Sequence, residues 1–133
     1  MQKVCLDTSM IVDFLRGKEE VKILFEKIKK GDIQPHLSSI TLFELYFGAF
    51  LSKKPKEAIE DIKSISSWME TIPIENETAY IGAIILAKLK NKGVLIEIRD
   101  VLIAASAVSK NLPLVTKNKK HFEKIPGLEL YSF

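Results

Sequence analysis

The sequence predicts an α/β fold, a three-layer α/β/α sandwich built on a parallel sheet of four to five strands. Three observations carry this reading. Short runs rich in β formers alternate with longer stretches of helical periodicity, the pattern of parallel βαβ units with right-handed crossovers. The 133 residues are 47% hydrophobic and 28% charged, which suits one folded domain spanning 1–133 and excludes a disordered chain. No internal repeat, low-complexity tract or linker interrupts the alternation.

Each element follows from its residues. Gln2–Leu6 is the first strand, ended by Asp7-Thr8-Ser9, all good N-caps, before a helix over Met10–Leu15 that Gly17 stops. Glu19–Lys30 places Val21, Leu24, Phe25 and Ile28 on one helical face and closes at Gly31. Pro35–Leu37 is a second strand. Ser38 and Ser39 cap a helix from Ile40 to about Leu51, and Pro55 starts another reaching about Met69. Thr71–Ile74 is a third strand, Glu75–Asn91 and Ile98–Lys110 are helices, and Leu112–Thr116 is a fourth strand. Leu128–Tyr131, after the turn Pro126-Gly127, is a fifth. A doubly wound sheet places its site at the carboxyl ends of strands near a switch point, and Asp7 and Thr116 end two strands.

Composition narrows the function. The apolar stretches Ala79–Ala87 and Val101–Val108 are far shorter than the roughly 20 residues of a membrane span, and Asp7 interrupts any apolar leader. A lone cysteine, Cys5, allows no intrachain disulfide and fits a reducing cytoplasm, where it is a small core residue. The 18 lysines against two arginines and 12 glutamates against five aspartates match the composition of heat-adapted proteins. The net charge of +3 identifies no partner, but Lys117, Lys119, Lys120, His121 and Lys124 cluster.

Three acids stand away from the lysine-rich surface. Asp7 ends a strand beside the free N–H groups of a helix, where it serves equally well as a cap. Glu44 shares its helical face with Ile40, Phe47 and Leu51, has no basic residue within four positions, and so needs a tertiary partner. Asp100 shares its face with Ile96, Ile103, Ala104 and Ala107; Arg99 is adjacent in sequence but points another way. If the three converge, two carboxylates about 4 Å apart repel by roughly 4 kcal/mol at an effective dielectric of 20. Protons or a cation must then compensate. Oxygen donors favour Mg²⁺ or Mn²⁺, and one Cys with two distant His argues against a zinc site.

Four blocks, in order and over nearly the whole chain, carry a resemblance: Val4-Cys-Leu-Asp7-Thr-Ser-Met-Ile-Val-Asp-Phe-Leu-Arg-Gly17, Ser39-Ile-Thr-Leu-Phe-Glu44-Leu-Tyr-Phe-Gly48, Arg99-Asp100-Val-Leu-Ile-Ala-Ala105 and Leu114-Val-Thr116-Lys-Asn118-Lys-Lys-His-Phe122. Together they resemble the PIN domain, especially the VapC-type toxins of VapBC toxin–antitoxin pairs. The resemblance implies strand order 3-2-1-4-5 and a metal-dependent endoribonuclease. Asp7, Glu44 and Asp100 match the family's catalytic acids and metal ligands. Asn118 stands where a fourth acid is frequent, as a weak or outer ligand, and Glu97 is an auxiliary acid one turn before Asp100. Mg²⁺, replaceable by Mn²⁺, would polarise the phosphoryl oxygen and activate water. Thr8, Ser9, Thr116 and Asn118 would hold water or phosphate, and Lys117, Lys119 and Lys120 the backbone of RNA.

The family also implies a homodimer and a cognate antitoxin that inserts a basic side chain among the acids, while Leu42–Leu51, apolar almost all round its axis, offers surplus contact surface. Trp68, Tyr80, Phe43, Phe47 and Phe50 read as core, so base stacking on exposed aromatics is a minor term. Asp13 reads as solvent-facing, and His36 and His121 as surface or packed residues. Two other functions fit parts of the pattern. A non-catalytic RNA- or protein-binding module would keep the acids without cleavage. An aspartyl-phosphate phosphatase or receiver domain would use Asp7 as nucleophile, but Ser9 stands where such phosphatases usually carry a second aspartate.

Overall fold

Residues 1–132 are described by a computed structural model of the chain. Strand β1 (Gln2–Leu6) runs through the middle of the molecule, with Val4, Cys5 and Leu6 fully buried. Helix α1 (Thr8–Leu15) starts at once behind it, and one 3₁₀ turn at Glu19–Val21 leads into α2 (Lys22–Lys29). Gly31, at φ +83°, closes that unit in the left-handed conformation that only glycine adopts without strain. There follow β2 (Ile33–Ser38), α3 (Ser39–Phe50), α4 (Pro55–Ser66), β3 (Glu70–Ile72), α5 (Asn76–Asn91), α6 (Ile98–Ser109), β4 (Leu114–Val115) and α7 (Lys119–Phe122).

The strands pair in parallel in the order β3-β2-β1-β4. The chain winds outward from β1 to β3, then returns through α5 and α6 to lay β4 on the other side of β1. The switch point therefore lies between β1 and β4, with Asp7 and Thr116 at its carboxyl end. Strand alternation sorts the two cores. Val4, Leu6 and Val115 pack with α1 to α4, whereas Cys5 and Leu114 pack with α5, α6 and Phe122. Burial pushes the Cys5 thiol up to about 12, with the charge of Asp7 adding to it, which makes Cys5 a packing residue.

The expected fifth strand over Leu128–Tyr131 is reduced to one parallel bridge, Leu114 to Leu130, so the sheet has four strands and a marginal fifth. The physical reason is β4 itself. It is only two residues long and follows Pro113, so Leu114 alone pairs on that side, accepting from Tyr131 N–H and donating to the Glu129 carbonyl. The third strand ends at Ile72, not Ile74, because Pro73 has no N–H to donate.

The aromatic residues expected in the core are largely exposed: Tyr80 by 71%, Phe50 by 66%, Phe43 by 63%, Phe47 by 57% and Trp68 by 41%. Leu45 and Ala49 already fill the inward side of α3, leaving its phenylalanines outside. Among the described residues no helix is long and apolar enough to cross a membrane.

Helices α5 and α6 approach one another at Gly82. A Cβ there would lie 3.5 Å from Leu102 and 3.6 Å from Ala105, ordinary contact distances with nothing to spare. Gly82→Ala is expected to hold or raise stability, since alanine favours helix by about 1 kcal/mol. Gly82→Leu is expected to overpack the interface and cost about 1–3 kcal/mol, measured by urea denaturation.

Candidate active site

Asp7 is the N-cap of α1, yet its carboxylate makes no capping bond. Its Oδ2 instead accepts from Thr116 Oγ1 at 2.8 Å and from Ser9 Oγ at 2.9 Å. Thr116 in turn accepts from the Asn118 N–H at 3.0 Å, so one buried hydroxyl ties the end of β1 to the segment after β4. Burial raises the Asp7 pKa above its usual value. Hydrogen bonds from the Thr116 and Ser9 hydroxyls and from the Thr8 backbone N–H oppose that shift, and the negative charge of Asp100 adds to it. Two carboxylates thus feel one another across the switch point.

Asp100, in the first turn of α6, lies 2.9 Å from His121 Nε2. Glu44, on α3, accepts from Thr8 Oγ1 at 2.8 Å and pairs through its other oxygen with Arg99 Nη1 at 3.1 Å. The hydroxyls of Thr8 and Thr41 are 3.1 Å apart and complete this chain of contacts. Arg99 Nη2 donates to Glu97 Oε2 at 2.7 Å. The tertiary partner that Glu44 required is therefore Arg99, whose long side chain reaches back past its own helix. Asn118 caps α7 with its backbone carbonyl, which accepts from the N–H groups of His121 and Phe122; its side chain is exposed.

Among the described residues, no three His, Cys, Asp or Glu side chains converge closely enough to hold a metal as they stand. Within the chain the acids have other partners. Arg99 draws Glu44 and Glu97 to itself, and His121 holds Asp100. The donor set nevertheless fits a hard cation. Asp7 and Asp100 are carboxylates in one another's field, and every further candidate (Glu44, Glu97, Asn118) offers oxygen.

Three further departures concern neighbouring residues. Asp13 is buried and bonded to Lys117 Nζ, which also pairs with Glu20 at 3.1 Å. The Lys117 hydrogen bond holds the Asp13 carboxyl below the usual range. Lys117, expected at the RNA backbone, is thus committed to two carboxylates, while Lys119 and Lys120 remain exposed. His121 was missed as a site residue. The available signal was its place one residue before Phe122, whose burial in the core fixes α7 and aims the imidazole at Asp100. His36 is buried against the Val4 carbonyl, away from these acids.

Comparison with known proteins follows the same lines. The PIN domain profile matches residues 4–128. A tRNA(fMet)-specific endonuclease VapC from Salmonella typhimurium is 32% identical over 130 residues, 98% of this chain and 97% of that protein. A ribonuclease VapC from Rickettsia bellii is 33% identical over 128 residues, 94% of this chain and 92% of the relative. VapBC2 from Rickettsia felis, solved bound to a DNA fragment from its promoter, superposes with a TM-score of 0.90 at 28% identity, covering 99% of both chains.

The raised pKa of Asp7 has a defined sign. Between its ordinary value, 3.8, and the raised one, the folded chain holds the proton more tightly than the unfolded chain. Stability therefore falls as pH rises through that window, and above it the ionised group remains a cost. Asp7→Asn, melted in EDTA at neutral pH, is expected to show a higher Tm than wild type. The gain should shrink as pH is lowered toward 4.

Proposed function

The chain belongs to the PIN domain family, and on that premise we propose that it is the ribonuclease toxin of a VapBC-type toxin–antitoxin pair. The observation that carries this reading is Asp7. Its carboxylate ends the central strand, caps nothing, and is held by two hydroxyls in the field of Asp100. A carboxylate kept buried and short of counter-charge lowers stability, and that arrangement is expected where a cation is bound in use.

Asp7 and Asp100 would be the principal ligands of a divalent cation, with Glu44 as ligand or water orienter and Glu97 and Asn118 at its margin. Bound there, Mg²⁺ or Mn²⁺ supplies Lewis acidity toward a phosphoryl oxygen and lowers the pKa of water. The protein supplies the rest. Thr116 and Ser9 fix the Asp7 carboxylate so that it does not rotate during the reaction. Thr8 holds one oxygen of Glu44 and thereby sets its reach. Lys119 and Lys120, exposed on α7 beside Asp100's partner His121, attract the RNA backbone and make binding fall with salt. The substrate is RNA, and tRNA is the first to test, given the name of the Salmonella relative. A ribonuclease toxin of this kind acts in the cytoplasm.

Two surfaces suit the two protein partners. A groove of about 410 Å³ between α1, α3 and α4 is lined by Val12, Leu15, Leu45, Ala49 and Ile62 together with Glu44, Asp61 and Arg16. Its apolar walls and two acids suit an antitoxin segment with a basic side chain among apolar ones. The outer side of α3 suits a second copy of the chain. Phe43 and Phe47 lie parallel there, 6.3 Å between ring centroids, and both are exposed with Phe50 and Leu51.

Purified without antitoxin, the chain is expected to cleave RNA in Mg²⁺ or Mn²⁺ and not in EDTA. Asp7→Asn and Asp100→Asn should each lower the rate by roughly 100-fold or more on gel-resolved substrates, several kcal/mol of transition-state stabilisation. Equal cutting by either variant refutes the assignment. Phe47→Lys should convert a dimer to a monomer in sedimentation equilibrium with the fold intact by circular dichroism.

A further inference from the structure

Arg99 pairs with two carboxylates, Glu44 and Glu97, and stands next to a third, Asp100. Its guanidinium bridges two helices, donating from Nη1 to Glu44 Oε2 at 3.1 Å and from Nη2 to Glu97 Oε2 at 2.7 Å. Both oxygens of Glu44 are thereby occupied, since Thr8 Oγ1 holds the other at 2.8 Å. Among the described residues Glu44 does not converge with Asp7 and Asp100 as it stands, so reaching a cation shared with them requires it to turn away from one of these donors. The Arg99 bond is the one placed to break. The Arg99 side chain is 55% exposed against 19% for Glu44, so the guanidinium can swing into solvent without unpacking α6.

A guanidinium released in this way has a natural acceptor. Its planar fork matches phosphate as well as carboxylate, with two parallel N–H donors that lysine lacks. A phosphodiester approaching the site meets a net negative field until a divalent cation arrives, and the cation meets a Glu44 already taken. Each ligand therefore removes the other's obstacle. Resting on the metal-dependent reading above, we propose that Arg99 is an internal counter-ion that holds Glu44 while the site is metal-free and passes to an RNA phosphate when a divalent cation takes the carboxylate. It couples metal binding to substrate binding, and the coupling is reciprocal.

The test measures Mn²⁺ affinity of the metal-stripped chain by calorimetry, alone and with a saturating thymidylate 12-mer as phosphodiester probe. Wild type is expected to bind Mn²⁺ about 10-fold more tightly with the oligonucleotide present. Arg99→Gln should bind Mn²⁺ several-fold more tightly than wild type in its absence and gain little from adding it. Arg99→Lys, which keeps the charge and loses the fork, should also lose most of the gain. A gain as large in both variants as in wild type overturns the coupling role while leaving the nuclease reading intact, because wild type then still binds Mn²⁺ and cuts RNA. A wild type that neither binds Mn²⁺ nor cuts RNA overturns both.

Discussion

The negative charge of Asp100 acts on the buried carboxylate of Asp7 at one end of a parallel sheet, and much of the local structure is arranged around that repulsion. Asp7 is the centre of it, because it is buried at the end of the central strand and cannot move away. Two hydroxyls satisfy one of its oxygens without neutralising it. Arg99 offsets the charge of Glu44 and Glu97, and His121 Nε2 lies at hydrogen-bond distance from Asp100. Hydrogen bonds to neutral donors orient a carboxylate, whereas only a positive charge offsets its field, and the two kinds of partner are distributed accordingly.

The segment after β4 is held by three unlike contacts, and each serves the acid cluster. Thr116 bonds to Asp7, Lys117 bridges Asp13 and Glu20, and Phe122 is buried among α6 and its neighbours. A four-residue helix has little intrinsic stability, so α7 depends on these anchors to keep His121 at Asp100 and to present Lys119 and Lys120. The pairing of Lys117 is therefore structural: it docks the base of the segment so that the residues beyond it point outward.

The exposed aromatics connect fold to partnership. A helix apolar on every side can bury only one face in its own domain, and α3 uses Leu45 and Ala49 for that purpose. Phe43, Phe47 and Phe50 are left in water, a cost that association with another surface removes. Glu44 lines the groove beside α3, so the acid that pairs with Arg99 is also within reach of whatever lies in the groove.

The sequence by itself determined the alternation of strands and helices, the position of Asp7 and Thr116 at strand ends, and the anomaly of Glu44 and Asp100 on apolar faces. These are local consequences of periodicity, capping and turn chemistry, which operate over a few residues. It also showed that Glu44 lacked a local partner, without showing which residue supplied one. Tertiary structure decided that Arg99 does, that His121 faces Asp100, that Asp13 is buried on Lys117, and that the aromatics of α3 lie outside. Each of those outcomes joins residues that are tens of positions apart or depends on which neighbours fill a face first. Long side chains such as Arg99 can reach several surfaces from one Cα, and the packing of α6 against α3 selects among them.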